Sequence, residues 1–96
     1  MLKIHIQVRA SEDLRKIFIR SVKEWGLEVA EAYYDELTNG IASLSENPEI
    51  GFVRDDIKRG YRQLAVGKHH IFYRITESKI RIVRVLHEKM LKNKHF

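Results

Sequence analysis

The stretch YRQLAVGKHHIFYRITESKIRIVRVLH, residues 61–87, decides the fold. Gly67-Lys68 and Glu77-Ser78 divide it into three runs rich in β-branched and aromatic residues: Tyr61–Val66, His69–Thr76 and Lys79–Leu86. Breaks of two residues leave room only for tight hairpins, so the three runs predict an antiparallel meander. Side chains alternate across a strand. Ile71, Tyr73 and Ile75 therefore point one way, and His70, Phe72 and Arg74 the other. In the last run Ile80, Ile82, Arg84 and Leu86 oppose Arg81, Val83, Val85 and His87. Neither of these strands has a wholly polar face.

Upstream, Leu2 to Arg9 alternates strictly, with Leu2, Ile4, Ile6 and Val8 on one side, and predicts a half-buried strand. Ser11 stands where a helix N-cap belongs, followed by Glu12 and Asp13, whose charge suits a helix start. Leu14, Ile17, Phe18, Val22 and Trp25 recur at helical spacing, and Gly26 fits a terminating position with positive φ. Trp25 reads as a core anchor, for which Trp25→Ala is expected to cost about 3–5 kcal/mol. A second helix is predicted over Leu27–Glu46 from Ala30, Tyr33, Tyr34, Leu37, Ile41 and Leu44. Asn39-Gly40 is also a hairpin-turn signal. Glycine costs a helix only about 1 kcal/mol, however, and the apolar period runs on past it, so the helix is kept with a weak point there. Asn47-Pro48 ends it, and residues 49–58 read as a loop with a short turn. The order β-α-α-β-β-β is an α+β layout, a helical hairpin packed on one face of an antiparallel-meander sheet. The other face is left with mixed apolar, Arg and His character, which marks a partner site.

The 96 residues suit one domain, 1–96, without repeats or linkers. Hydrophobic residues at 44% and charged residues at 32% exclude a disordered chain. The absence of cysteine excludes disulfides, a thiol nucleophile and thiolate metal sites. No run is apolar enough for a signal sequence or membrane span, so a cytoplasmic protein is expected. Residues 1–50 carry 6 Lys/Arg against 9 Asp/Glu, and residues 51–96 carry 12 against 4. That basic half invites an acidic partner, whether a phosphate backbone or an acidic protein segment. Arg54, Lys58, Arg59 and Arg62 cluster around the loop into the second strand, and Lys89, Lys92 and Lys94 form a cationic tail.

The chain resembles the ParE toxins of the RelE/ParE toxin superfamily in pieces that run in order along almost its whole length. They are Ser11-x-Asp13-Leu14-x-x-Ile17, Trp25-Gly26, Ala32-Tyr33 with Leu37, Asn47-Pro48-x-x-Gly51, and Asp56-Ile57-x-x-Gly60-Tyr61-Arg62. His69-x-Ile71-Phe72-Tyr73-Arg74 and Ile82-Val83-Arg84-Val85-Leu86-His87-x-x-Met90 complete the set. The family usually has an aspartate after that methionine, where this chain has Leu91. The resemblance implies a bacterial toxin of a type II toxin–antitoxin system that inhibits growth by binding DNA gyrase, with the A subunit as expected contact. It also implies a ParD-like antitoxin wrapping the toxin. A homodimer or a toxin–antitoxin hetero-oligomer are the candidate assemblies.

Two alternatives compete. RelE-type relatives cut mRNA on the ribosome, which needs an acid, a base and cations for the crowded phosphate. His87 would be the acid, Arg62 and Arg84 the phosphate clamps, and Glu88 or His69 the base. No aromatic directly follows His87 to stack a nucleotide, and a regular strand would put Arg84 and His87 on opposite faces. A basic nucleic-acid-binding module without toxicity is the second alternative. Adjacent His69 and His70 point to opposite faces and make no metal site, so no metal and no cofactor are expected. For contact with target or antitoxin the candidates are Arg54, Arg59, Arg62, Phe72, Arg74, Arg81, Arg84 and His87.

Overall fold

The computed structural model describes residues 1–91 and 96. Strand β1, Lys3–Ile6, leads into helices α1, Val8–Trp25, and α2, Leu27–Ser43. Strands β2, Phe52–Val53, β3, Tyr61–Val66, β4, His69–Ile75, and β5, Lys79–His87, follow, and a 3-10 turn occupies Glu88–Met90. The sheet order is β1-β5-β4-β3-β2. The meander is antiparallel as expected, but β1 pairs with β5 in parallel and β2 adds a fifth strand within the expected loop, so the sheet is mixed. Two residues are too few to show a period, and only pairing with Arg62 and Gln63 identifies β2.

The helices cover one face. Leu14 of α1 and Leu37 and Ile41 of α2 meet Ile71, Tyr73, Ile80, Ile82 and Val85 of the sheet. α1 begins at Val8 rather than after Ser11. Gln7 occupies the cap position, and the Ser11 N–H already donates to Gln7 O at 2.9 Å. The early start places Ala10, fully buried, one turn before Leu14, while Val8 is exposed. The alternation that runs through Val8 therefore overstates the strand. Gly26 closes α1 and opens α2: its N–H donates to Val22 O, and its carbonyl accepts from the Ala30 N–H. Its φ of 89° with ψ of 166° is a conformation essentially reserved for glycine.

α2 runs unbroken through Asn39-Gly40. A Cβ at Gly40 would lie 2.8 Å from Val66 Cγ2 and 3.6 Å from Ile71 Cδ1, so the missing side chain lets α2 lie close on β3 and β4. Trp25 corrects an expectation, since it is 59% exposed at the tip of the hairpin. Its helical spacing is genuine, but the stripe that turns inward is Ala10, Leu14 and Ser21.

Tyr73 has the role that Trp25 lacks. From the core its hydroxyl donates to Pro48 O at 2.7 Å and accepts from the Gly51 N–H at 2.9 Å, fixing the loop after α2. Trp25→Ala is therefore expected to cost about 1 kcal/mol or less, as a largely exposed residue should. Tyr73→Phe leaves the buried Gly51 N–H without its acceptor and is expected to cost about 1–3 kcal/mol. Denaturation midpoints of the two variants check this, and a larger loss at Trp25 would contradict it.

Candidate functional site

The sheet deviates from regularity between Ile82 and Arg84. Tyr73 pairs with Ile82 but Phe72 pairs with Arg84, which leaves Val83 as an extra residue on β5. Such a bulge reverses the alternation beyond it. Val85, placed by regular alternation opposite Ile80 and Ile82, joins them in the core, and His87 pairs with His69. The expectation for the end of β5 is thus corrected.

At the bulge Arg84 is 8% exposed. Its Nε donates to Asp13 Oδ2 at 2.7 Å and its Nη2 to Oδ1 at 2.9 Å. Asp13 Oδ2 also accepts the Val85 N–H at 3.0 Å. The bidentate bond holds the Arg84 guanidinium protonated, its pKa raised. Asp13 therefore clamps α1 to β5 rather than merely favouring a helix start. The sequence signal was its place one helical turn before Ile17 and two before Ser21, on the stripe that turns inward.

At the far end of β5, His69 is buried and its Nδ1 lies 2.5 Å from the Tyr33 hydroxyl of α2. The Tyr33 oxygen accepts the Lys68 N–H at 3.1 Å. Burial, then the neighbouring His87, His70 and Arg20, push the His69 pKa down to about 4. In the neutral tautomer protonated at Nε2, the ring accepts a hydrogen bond from the Tyr33 hydroxyl at Nδ1, and burial raises the Tyr33 pKa. The His87 ring stands perpendicular to His69 with centroids 5.1 Å apart, and its Nδ1 accepts the Lys89 N–H at 3.1 Å. It is a strand-end histidine bonded to backbone. Glu88 is exposed, with Lys68 Nζ at 3.8 Å.

The four residues of the ribonuclease alternative are not brought together. Arg62 Nη1 donates to Glu49 O at 3.2 Å and Gly51 O at 3.0 Å, tethering the loop after α2. It pairs with Tyr73, whereas His87 pairs with His69, four residues away along β4 and so about 13 Å distant. Arg84 is held by Asp13.

The contact candidates separate into three groups. Arg54 forks onto Asp56 at 2.9 and 3.0 Å and bonds Gln63 Oε1, while Gln63 Nε2 lies 2.7 Å from His70 Nδ1. Lys58 and Arg59 are exposed on the same loop. Phe72 is fully buried on the face away from the helices, where Phe96 packs edge-on against it at 4.8 Å and against Tyr61 at 5.8 Å. A partner reaches Phe72 only by displacing Phe96. Arg74 and Arg81, by contrast, form no ion pair among the described residues and stand in the open part of that face. Lys92 and Lys94 lie outside the described residues.

Sequence reasoning also missed a groove between β1, α1 and α2. This cavity of about 550 Å³ is lined by Ile6, Leu14, Phe18 and Tyr34, with Arg15, Glu31 and Asp35 among its polar groups. Among the described residues no helix is long and apolar enough to cross a membrane.

A helical hairpin laid across one face of a small mixed sheet, with a basic last strand clamped to the first helix, defines an α+β domain of the RelE/ParE toxin type. The family described as ParE toxin of type II toxin-antitoxin system, parDE, matches residues 4–92, and the chain belongs to that family. It is 43% identical over 82 residues to Toxin ParE1 of Mycobacterium tuberculosis, covering 84% of each chain. Toxin ParE1 of Caulobacter vibrioides is 38% identical over 87 residues, covering 91% of this chain and 90% of its own. Among solved structures, a chain of the chromosomal ParDE TA system from P. aeruginosa superposes with a TM-score of 0.80 at 21% identity. It covers 91% of this chain and 96% of its own.

Removing one partner of a buried pair leaves an uncompensated charge. Asp13→Ala is accordingly expected to cost about 3–5 kcal/mol. A double-mutant cycle with Arg84→Ala should give clearly less than the sum of the single losses, whereas additive losses would mean the pair does not act as a unit.

His69 predicts a pH dependence. Above its ordinary pKa of 6.5 the ring is neutral in both folded and unfolded chains, and no penalty arises. Between 6.5 and about 4 the unfolded chain binds a proton that the folded one refuses, so stability falls as pH drops. His70, also lowered chiefly by burial, acts in the same direction. Melting temperature should decline between about pH 7 and 5, and less steeply in His69→Gln. An equal slope in the variant would remove His69 as the cause.

Proposed function

We propose that this ParE-family chain is a toxin that acts by binding DNA gyrase in the bacterial cytoplasm. Gyrase is blocked within the strand-passage cycle, with the A subunit as contact, so that cleaved DNA accumulates and replication stops. The observation that carries a binding mechanism over turnover is the state of the cationic residues an RNA-cutting site would need. Arg84 is committed to Asp13, and Arg62 is committed to loop carbonyls about 13 Å along the sheet from His87. Family membership supports the toxin role.

The partner that neutralises it is a ParD-like antitoxin, a reading supported by the similar fold of a chain from the chromosomal ParDE TA system of P. aeruginosa. The groove between β1, α1 and α2 offers that antitoxin an apolar floor for an amphipathic segment. In a supercoiling assay with purified gyrase, the chain is expected to inhibit supercoiling and raise the yield of linear, cleaved plasmid. Prior addition of the antitoxin should abolish both effects. Undisturbed gyrase together with ribosome-dependent mRNA cutting would overturn the proposal.

A further inference from the structure

None of the five strands contains an aspartate or glutamate. Their cations are not dispersed either. Arg81 lies between Ile80 and Ile82, both in the core, and Arg74 follows the core residue Tyr73, so both point away from the helices. The same alternation turns out Lys3, His5 and Lys79, neighbours of Ile4, Ile6 and Ile80. Register then brings them together. Arg74 is directly opposite Arg81, Arg81 directly opposite His5, and Lys3 directly opposite Lys79 two positions along. Like charges directly opposite in a sheet, as at Arg74–Arg81 and Lys3–Lys79, are destabilising. Among the described residues no carboxylate pairs with any of these cations, and none of them has a hydrogen-bond partner for its side chain. The fold holds an uncompensated positive row that an external anion would relieve.

We propose that this row, Lys3 and His5 on β1, Lys79 and Arg81 on β5 and Arg74 on β4, is a docking surface for the phosphate backbone of duplex DNA. Three observations select that partner. The five members of the row are all basic and their neighbours Phe72 and Leu86 are buried, so the row itself holds no apolar anchor, and the half-exposed Phe96 ring lies beside it against Phe72 and Tyr61. Protein interfaces are depleted in lysine and built on aromatic or aliphatic anchors. Among the described residues the aromatic ring open to solvent beside the row is Phe96, itself packed edge-on against Phe72 and Tyr61, so no series of rings is offered on which successive bases could stack, which disfavours single strands. Finally, three adjacent strands and a two-residue step give a patch about 10 Å by 7 Å. On a duplex with one phosphate per about 3.4 Å of rise on each strand, it meets about two or three phosphates. The surface goes beyond the gyrase reading and does not depend on it, because naked DNA suffices to test it.

The test is fluorescence anisotropy of the full chain with a labelled 20-base-pair duplex of arbitrary sequence, titrated with salt. Binding is expected at roughly micromolar to 100 micromolar Kd, with log K falling against log salt at a slope of about −2 to −3. Arg74→Gln/Arg81→Gln should weaken binding about tenfold or more at low salt and flatten the slope by about 1 to 2. Lys3→Gln/Lys79→Gln should act in the same direction, and both variants should keep the wild-type circular dichroism. Lys58→Gln/Arg59→Gln removes equal charge from the loop before β3 and should leave binding within about twofold, as it spares the phosphate contacts. Equal losses in the loop pair and the sheet pair would overturn the proposal, as would absence of binding. An oligoglutamate peptide binding as tightly as the duplex would also overturn it and assign the face to an acidic protein.

Discussion

One carboxylate holds the two halves of this fold together. Asp13 accepts from two nitrogens of Arg84 and from the Val85 N–H, so a single side chain of α1 satisfies both a buried guanidinium and a backbone donor at the point where β5 departs from regular pairing. Charge-assisted bidentate bonds are the strong members of their class, and their geometry is directional. The clamp fixes how α1 lies along β5 and stabilises the bulge, and the bulge returns Val85 to the core. Without the extra residue, the end of β5 would present its other side chains to the helices, and His87 would not meet His69.

The same interaction decides what the basic strand can do. A sequence rich in arginine suggests a supply of free cations, but the structure commits them unequally. Arg84 is bound to Asp13, Arg62 to loop carbonyls and Arg54 to Asp56 and Gln63. The carboxylates all lie on helices, loops and turns, so those near the sheet neutralise only the cations that reach them. What remains open on the second face is a row of basic side chains, beside the half-exposed Phe96 ring that covers Phe72 and Tyr61. The face expected to be bare and mixed is thereby divided into a covered apolar part and an open cationic part.

The hairpin breaks at Gly67-Lys68 and Glu77-Ser78, the helix continuing through Asn39-Gly40 and the join at Gly26 were legible because each rests on local backbone chemistry. The groove between β1, α1 and α2 was not, since its lining comes from three separate elements of the chain. Trp25 shows the limit from the other side. Helical spacing tells which residues share a stripe, but the sheet selects which stripe is buried, and that is the one containing Ala10, Leu14 and Ser21.

By itself, then, the sequence determined the α+β class, the element order, the antiparallel meander and the concentration of positive charge in the second half. These follow from alternation, helical period and turn residues, all of which act within a few positions. Tertiary structure alone decided the parallel pairing of β1 with β5, the phase change at Val83 and the partners of Asp13, Tyr33 and Tyr73. It also decided which arginines are spent internally and which face solvent. Those outcomes depend on groups far apart in the chain, such as Asp13 and Val85, 72 positions apart, meeting in a low-dielectric interior, where a buried polar atom must find its partner wherever the chain brings one.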